Sequence, residues 1–484
     1  MPARRRQWLA IGAAAVALLI MAVFIYRSHG GRQVEGPVLP APAVPDLAGF
    51  VPAIYDLDVN LDPVSGTVTG SSQVEYTNNQ AVPLPELYLH LYPNAAVFSQ
   101  DVRRPGRLEV TAVSVEGQGV RFTVEETLLK VTLESALQSQ EQINLTLSWE
   151  LTVPDYPGRL GENDGIISLG NWYPILAVYD AAGWHLDPYY DWGDPFYSEV
   201  GRYRVRLTLP PSYQAVASGN LQARRQLPPQ KKELVWETSL VRDFAVAVSS
   251  EYESLEQKVG PTLVRSVFLR GEQAGGRQAL KSGCEALKFF NDKFGLYPYH
   301  QLTLAATGFD QGGMEYPNIV FLARQFYGQA DAEILDYLVV HETAHQWWYG
   351  VVGNNQVTEA WLDEGLTEFS TVLFFEKVRG RGQEEAASLA GLYQAYRQTN
   401  GDGKILRSLN EFPSELAYNA LVYGKGCLLF LQLREELGEE LMLTLLQEYY
   451  RRFAYRNATS EDFIRTAEEI SGQNLGSFFQ DWLL

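Results

Sequence analysis

From residue 51 to about residue 258 the chain alternates. Residues 53–61 and 86–92 place an apolar side chain at nearly every second position, the period of a strand with one buried face. Similar patches fall at 67–77, 108–115, 120–133, 142–153, 203–209, 233–238 and 243–249, separated by Gly, Pro, Asn and Asp. Many short strands of period two predict an all-β domain over 51–258, built as a sandwich or a saddle-shaped sheet. Residues 163–199 fit neither period. They are rich in Trp, Tyr, Pro and Asp, and are expected to cap the sheet rather than wrap a cleft.

From 259 onward the apolar spacing becomes helical. Residues 277–294 read as an amphipathic helix stopped by Gly295 and Pro298. Two strands are expected at 301–307 and 316–322, joined by a loop from Gly308 to Glu315. The remainder to Leu484 is mostly helical, so 259–484 is expected to be one α+β domain.

The first 50 residues have a different texture. Arg4, Arg5 and Arg6 precede an uncharged apolar run from Trp8 to Tyr26, closed by Arg27. A helix of that length reaches about 28 Å, close to the hydrocarbon thickness of a bilayer. The basic cluster places the N-terminal side in the cytoplasm. Residues 1–26 are therefore read as a single transmembrane signal-anchor. A cleaved signal peptide is the alternative; either way the body lies outside the cytoplasm. Pro37, Pro40, Pro42 and Pro45 mark 27–50 as a semi-extended linker.

Composition narrows the function classes. The 484 residues are 46% hydrophobic and 20% charged, which suits a packed globular body. The formal net charge is −19. With the five Arg and two acidic residues of the first 50 set aside, 34 basic and 56 acidic side chains remain. A body that acidic is a poor nucleic-acid binder. The two cysteines, Cys284 and Cys427, fall in apolar helix-like stretches and are expected to be buried thiols.

The sharpest chemistry is His341-Glu342-Thr343-Ala344-His345. Asp331 is a candidate N-cap for its helix and Gly350 a candidate end. Residues i and i+4 share a helix face, so two imidazoles can reach one zinc ion. Glu342, one position round, can take a proton from an activated water. A histidine in a core helix is ordinarily structural. With only six His in the chain, however, this spacing arises by chance less than about 1% of the time. A catalytic zinc needs a third protein ligand. Glu364, in Trp361-Leu362-Asp363-Glu364-Gly365, begins its case in a second helix-like segment, 358–379. Asp363 and Glu368 lie close by, and Glu368 is placed to orient a ligand histidine.

These phrases resemble the gluzincin aminopeptidases of the aminopeptidase N and leukotriene hydrolase family. The family carries H-E-x-x-H, then 18 residues, then a ligand Glu within W-L-N/D-E-G. It also carries G-x-M-E-N upstream, here Gly312-Gly313-Met314-Glu315-Tyr316, and Y-x-K-G downstream, here Tyr423-Gly424-Lys425-Gly426. The resemblance implies a thermolysin-like catalytic domain behind a saddle-like β domain, and one Zn2+ held by His341, His345 and Glu364. It implies Glu342 as general base and Tyr423 as donor to the oxyanion. It implies substrate binding by Gly312, Gly313, Met314 and Glu315, with Glu315 on the α-amine of a peptide. Tyr316 stands where many members have Asn. The family's usual C-terminal helical domain has no counterpart before the sequence ends at Leu484, so a more open cleft, or one covered by a partner, is expected. The expected activity is removal of N-terminal residues from peptides. The alternatives are a zinc endopeptidase or other hydrolase on this fold, and a non-catalytic membrane-anchored peptide-binding protein. Nothing in the sequence sets the oligomeric state.

Overall fold

Strand Ala53–Asp62 buries Tyr55, Leu57, Val59 and Leu61 and turns the residues between them outward. It pairs in parallel with Gly201–Leu209 and antiparallel with Thr67–Thr77. These are the centre of an eight-stranded sheet, which runs on one side through Lys231–Glu237 to Asn220–Leu227 and on the other through Gln142–Thr152 and Arg107–Val115 to Gln118–Gly119. One four-stranded sheet is built on Leu84–His90 and Leu128–Leu137, another on Ile166–Leu169 and Val246–Ser249. Side chains of all three sheets meet in one apolar core. The N-terminal half is thus β-rich, as its alternation predicts.

The computed structural model describes residues 47, 49–100, 102–328 and 331–484. The expected transmembrane run, and the Pro-rich linker apart from residues 47, 49 and 50, lie outside the described residues. Among the described residues one helical stretch, Glu415–Leu437, is long and apolar enough to cross a membrane, but 67% of its apolar window is buried inside the fold.

The second half is organised around a five-stranded mixed sheet. Its order is Tyr252–Val259, Thr262–Leu269, Gln301–Thr307, Ile319–Ala323 and the edge strand Gly313–Met314. The sheet therefore begins inside 51–258. Tyr252–Val259 turns back antiparallel onto Thr262–Leu269, and helical periodicity starts only after it. The central strands Gln301–Thr307 and Ile319–Ala323 are buried along their whole length, as parallel strands covered on both faces are.

Helix α1 (Gln273–Lys293) packs on this sheet and against α2 (Ala332–Ala344). Helix α3 (Glu364–Phe374) packs against α2 and against α4 (Gly426–Leu437). The expected helix end at Gly350 is not where α2 stops. It ends at Ala344 because Trp347 and Trp348 turn inward, where their indole N–H groups donate to the Gly295 carbonyl and to Ser370 Oγ, both at 2.9 Å. The segment expected to be helical over 358–379 is likewise shorter. A 3-10 turn at Ala360–Leu362 precedes α3, and a π-helical turn at Phe375–Arg379 follows it. Cys284 and Cys427 are free and buried.

Arg242 fastens the two halves together. Its guanidinium, 1% exposed, leaves the β-rich half and donates to the carbonyls of Tyr349 at 2.7 Å and Arg456 at 2.7 Å in the second half. It also donates to Ser198 O at 3.0 Å in its own half.

Candidate metal centre

His341 lies in the last turn of α2, and His345 follows its final residue in a conformation that is still helical. Glu364 is the first residue of α3. The packing of these two helices brings three ligand atoms together. His345 Nε2 is 3.1 Å from His341 Nε2. Glu364 Oε2 is 3.4 Å from His341 Nε2 and 3.3 Å from His345 Nε2. Four ligands at zinc-bond lengths of about 2.0–2.1 Å in a tetrahedron stand about 3.3–3.4 Å apart. Glu364 Oε2 is buried and has no hydrogen-bond partner. A triangle of lone pairs with that spacing and an orphaned oxygen fits one zinc ion.

The outer contacts fix which ring nitrogens face inward. His345 Nδ1 lies 2.6 Å from Asp363 Oδ1; its N–H donates there and leaves Nε2 free to ligate. His341 Nδ1 lies 3.5 Å from Glu368 Oε1, and Tyr337 donates its hydroxyl to the other Glu368 oxygen. Burial alone would push both imidazoles towards neutrality. In the protein without its ion, carboxylates outweigh burial. Glu368 and Glu364 raise His341, and Asp363, Glu364 and Glu315 hold His345 well above its ordinary value. Glu364 is conversely drawn far down, against burial, by His345 and His341. The site is built for positive charge.

A second set, Glu315, Glu342 and His345, also brings ligand atoms within 4.8 Å of one another. It shares His345, whose Nδ1 is committed to Asp363. Only one cation can use Nε2, and the His341, His345 and Glu364 triangle has the tetrahedral spacing.

Glu342 is buried beside this triangle, and its Oε2 has no partner. Burial pushes its carboxyl up to about 7, with the two histidines pulling the other way. A Cβ on Gly313 would lie 2.2 Å from Glu342 Oε1, so the edge strand can approach the carboxylate only because glycine stands there. Gly312, at φ +108, turns the chain into that strand. Met314 points into the core at 1% exposure and does not line the cleft. Glu315 does line it. Burial and Asp194 hold its carboxyl well above the usual range, and Gln356 Nε2 donates to its Oε1 at 3.4 Å. Tyr423 sits in a π-helical turn, Asn419–Lys425, a rare local geometry that recurs at functional sites. Its hydroxyl donates to Glu364 Oε1 at 2.6 Å.

His341, Glu342, His345, Glu364, Glu368, Gly313, Glu315 and Tyr423 face one open cleft of about 320 Å³. Residues 191–194 form part of its wall. The aromatic stretch 163–199 therefore reaches the cleft at this one end, beyond the expected role of capping the sheet. Asp194 accepts from Arg159 Nη1 at 2.7 Å, and burial lifts its carboxyl to about 6 although Arg159 opposes this. Sequence reasoning missed Asp194 and Arg159 because they sit where no periodicity operates. It passed over Asp363 as one of several nearby acids; its position beside Glu364 was the available signal. Gln356 carried none.

Known proteins agree with this geometry. Residues 278–482 match the family model of the Peptidase family M1 domain. This part of the chain is similar to an M1 peptidase domain. Aminopeptidase M1-C of Oryza sativa subsp. japonica is 24% identical over 305 residues, which cover 60% of this chain and 34% of the relative. Aminopeptidase N of Lactococcus lactis subsp. lactis is 27% identical over 224 residues, 42% of this chain and 26% of the relative. The alignments with these curated relatives thus span about a third of their length or less.

Among solved structures, an M1 zinc metallopeptidase mutant from Deinococcus radiodurans, bound to a Tyr-Ser-Ala substrate, superposes with a TM-score of 0.68 at 21% identity. The match covers 90% of this chain and 95% of that one. A two-domain M1 zinc metallopeptidase mutant bound to L-tryptophan gives 0.66 at 20% identity, with the same coverage. The region that matches the family model and the β-rich domain before it thus share the fold of these neighbours.

Proposed function

We propose that this protein is a zinc aminopeptidase that removes N-terminal residues from peptides. The reading is carried by one juxtaposition: the triangle of His341, His345 and Glu364 shares a cleft with the Glu315 carboxylate. Similarity to aminopeptidases supports it, as do neighbours bound to a tripeptide and to a free amino acid.

His341, His345 and Glu364 would hold the zinc, which would supply Lewis-acid polarisation of a carbonyl and a hydrolytic nucleophile near neutral pH. The Glu315 carboxylate takes the α-ammonium of the peptide through a charge-assisted hydrogen bond, which places the first peptide bond beside His341, His345 and Glu364. Glu342 accepts the proton of the attacking water and returns it to the leaving amine. Tyr423 exchanges its bond to Glu364 for one to the oxyanion of the tetrahedral intermediate.

The finer architecture belongs to the same reading. The β-rich domain is a saddle, the catalytic domain is thermolysin-like, and the apolar run 8–26 anchors the body outside the cytoplasm by a linker over 27–50. Retention of the full chain in carbonate-washed membranes tests the anchor.

The activity is tested with a short peptide carrying a free or an N-acetylated terminus. The free peptide should be shortened from its N-terminus and the acetylated one spared, with cleavage of the free peptide lost in Glu342→Gln. Equal cleavage of the two would point to an endopeptidase and remove the aminopeptidase reading.

A further inference from the structure

The residue after Glu315 crosses the junction between the two halves. Tyr316 is fully buried, and its hydroxyl donates to Asn171 Oδ1 at 2.7 Å. Asn171 Nδ2 in turn donates to Asp243 Oδ2 at 2.5 Å. Asp243 also accepts from the Tyr173 hydroxyl at 2.8 Å and from Phe244 N at 2.6 Å. Asn171, Tyr173 and Asp243 all belong to the β-rich half, and all are buried. Space for the tyrosine is provided by Gly170, where a Cβ would lie 1.9 Å from the Tyr316 hydroxyl oxygen.

On its other side the same peptide is tied to the metal helix. Gln346, next to His345, donates Nε2 to the carbonyls of Glu315 at 3.2 Å and Tyr316 at 3.3 Å. The backbone that carries Glu315 is therefore gripped from two directions. Gln346 sets its distance from the metal ligands, and Tyr316 sets its depth against the β-rich half.

We propose that Tyr316 is a positioning residue for the Glu315 carboxylate, acting through its hydrogen bond to Asn171. The proposal rests on the reading that Glu315 binds the α-ammonium. Three features support it. A buried hydroxyl bonded to a fully engaged amide has a single favoured position, since moving it would leave Asn171 Oδ1 unpaired in the core. The amide is itself fixed by Asp243, so the anchor cannot follow the loop. Finally, Glu315 and Tyr316 are consecutive residues, so a shift of the tyrosine ring moves the preceding Cα. The β-rich domain thereby sets the geometry of amine recognition without touching the substrate through this network.

The test uses the full chain loaded with zinc and four variants: Tyr316→Phe, Asn171→Gly, Glu315→Gln and the double variant Tyr316→Phe with Glu315→Gln. Glycine suits position 171 because Asn171 has φ +50, so the side chain is removed without backbone strain. Steady-state constants are measured on an aminoacyl anilide. Preference for free over N-acetylated peptide and zinc content are measured beside them. Tyr316→Phe and Asn171→Gly should each raise KM about fivefold to tenfold, with kcat held within about twofold and zinc content unchanged. In the Glu315→Gln background, Tyr316→Phe should add nothing. If Glu315→Gln keeps the preference for free amines, the amine reading fails and takes this proposal with it. If Glu315→Gln abolishes that preference but Tyr316→Phe leaves KM unchanged, or its effect multiplies with that of Glu315→Gln, the amine reading stands and the positioning role is overturned.

Discussion

Asp363 Oδ1 lies 2.6 Å from His345 Nδ1, and this contact decides which nitrogen of His345 faces His341 and Glu364. Both side chains are fully buried, so no water competes for the bond. Removing the carboxylate with Asp363→Ala frees the ring to rotate and lowers ligand basicity. Zinc affinity, read by competition with a chromogenic chelator, should fall about 10–100-fold. Asp363→Asn, which keeps an acceptor oxygen, should lose less.

Metal uptake should release protons. Without the ion, neighbouring carboxylates hold His341 and His345 above their ordinary value against burial, which favours the protonated rings. Zinc needs the neutral rings. Binding should therefore expel protons, and apparent affinity should fall as pH falls. Calorimetric titration in buffers of different ionisation enthalpy reads the proton count directly. A binding enthalpy independent of the buffer would contradict it.

Glu342→Gln should keep the metal and lose turnover, because the amide retains the shape but cannot accept a proton. Burial lifts the Glu342 carboxyl to about 7 in the ion-free protein, and a nearby cation lowers it. A base works deprotonated, so kcat/KM should rise with pH along an acidic limb centred at or below about 7. Residual activity in Glu342→Gln should lack that limb.

Arg242 gives a stability prediction away from the chemistry. Arg242→Met keeps the apolar stem but takes the buried guanidinium donor from the Tyr349 carbonyl and one of the donors from the carbonyls of Arg456 and Ser198. The loss should be about 3 kcal/mol or more, visible as a lower Tm in scanning calorimetry. A change within error would show that water or neighbouring amides replace the guanidinium.

The parts legible in the sequence were those with a period or a fixed spacing. Residues 53–61 alternate because one face of their strand meets the core, and that alternation survives in the folded chain. His341, Glu342 and His345 were legible because a helical turn translates sequence spacing into shared direction. The third ligand and the carboxylates around it come from helix packing, which only the recurring phrase around Glu364 signalled. Strand Tyr252–Val259 falls within the expected β-rich span but is not singled out there, because its charged residues blur the alternation, and Thr262–Leu269 falls where helical periodicity is expected. Asp194, Arg159 and the Asn171 network lie in or beside the aromatic stretch. There, side-chain hydrogen bonds between distant segments replace periodic packing, and no local pattern announces such bonds.

The most direct measurement is anomalous diffraction at the zinc edge from crystals of the purified protein. A single strong peak should lie within zinc-bond distance of His341 Nε2, His345 Nε2 and a Glu364 oxygen, about 2.0–2.2 Å from each. A peak elsewhere, or no peak from crystals grown with added zinc, would contradict the metal centre and the activity inferred from it.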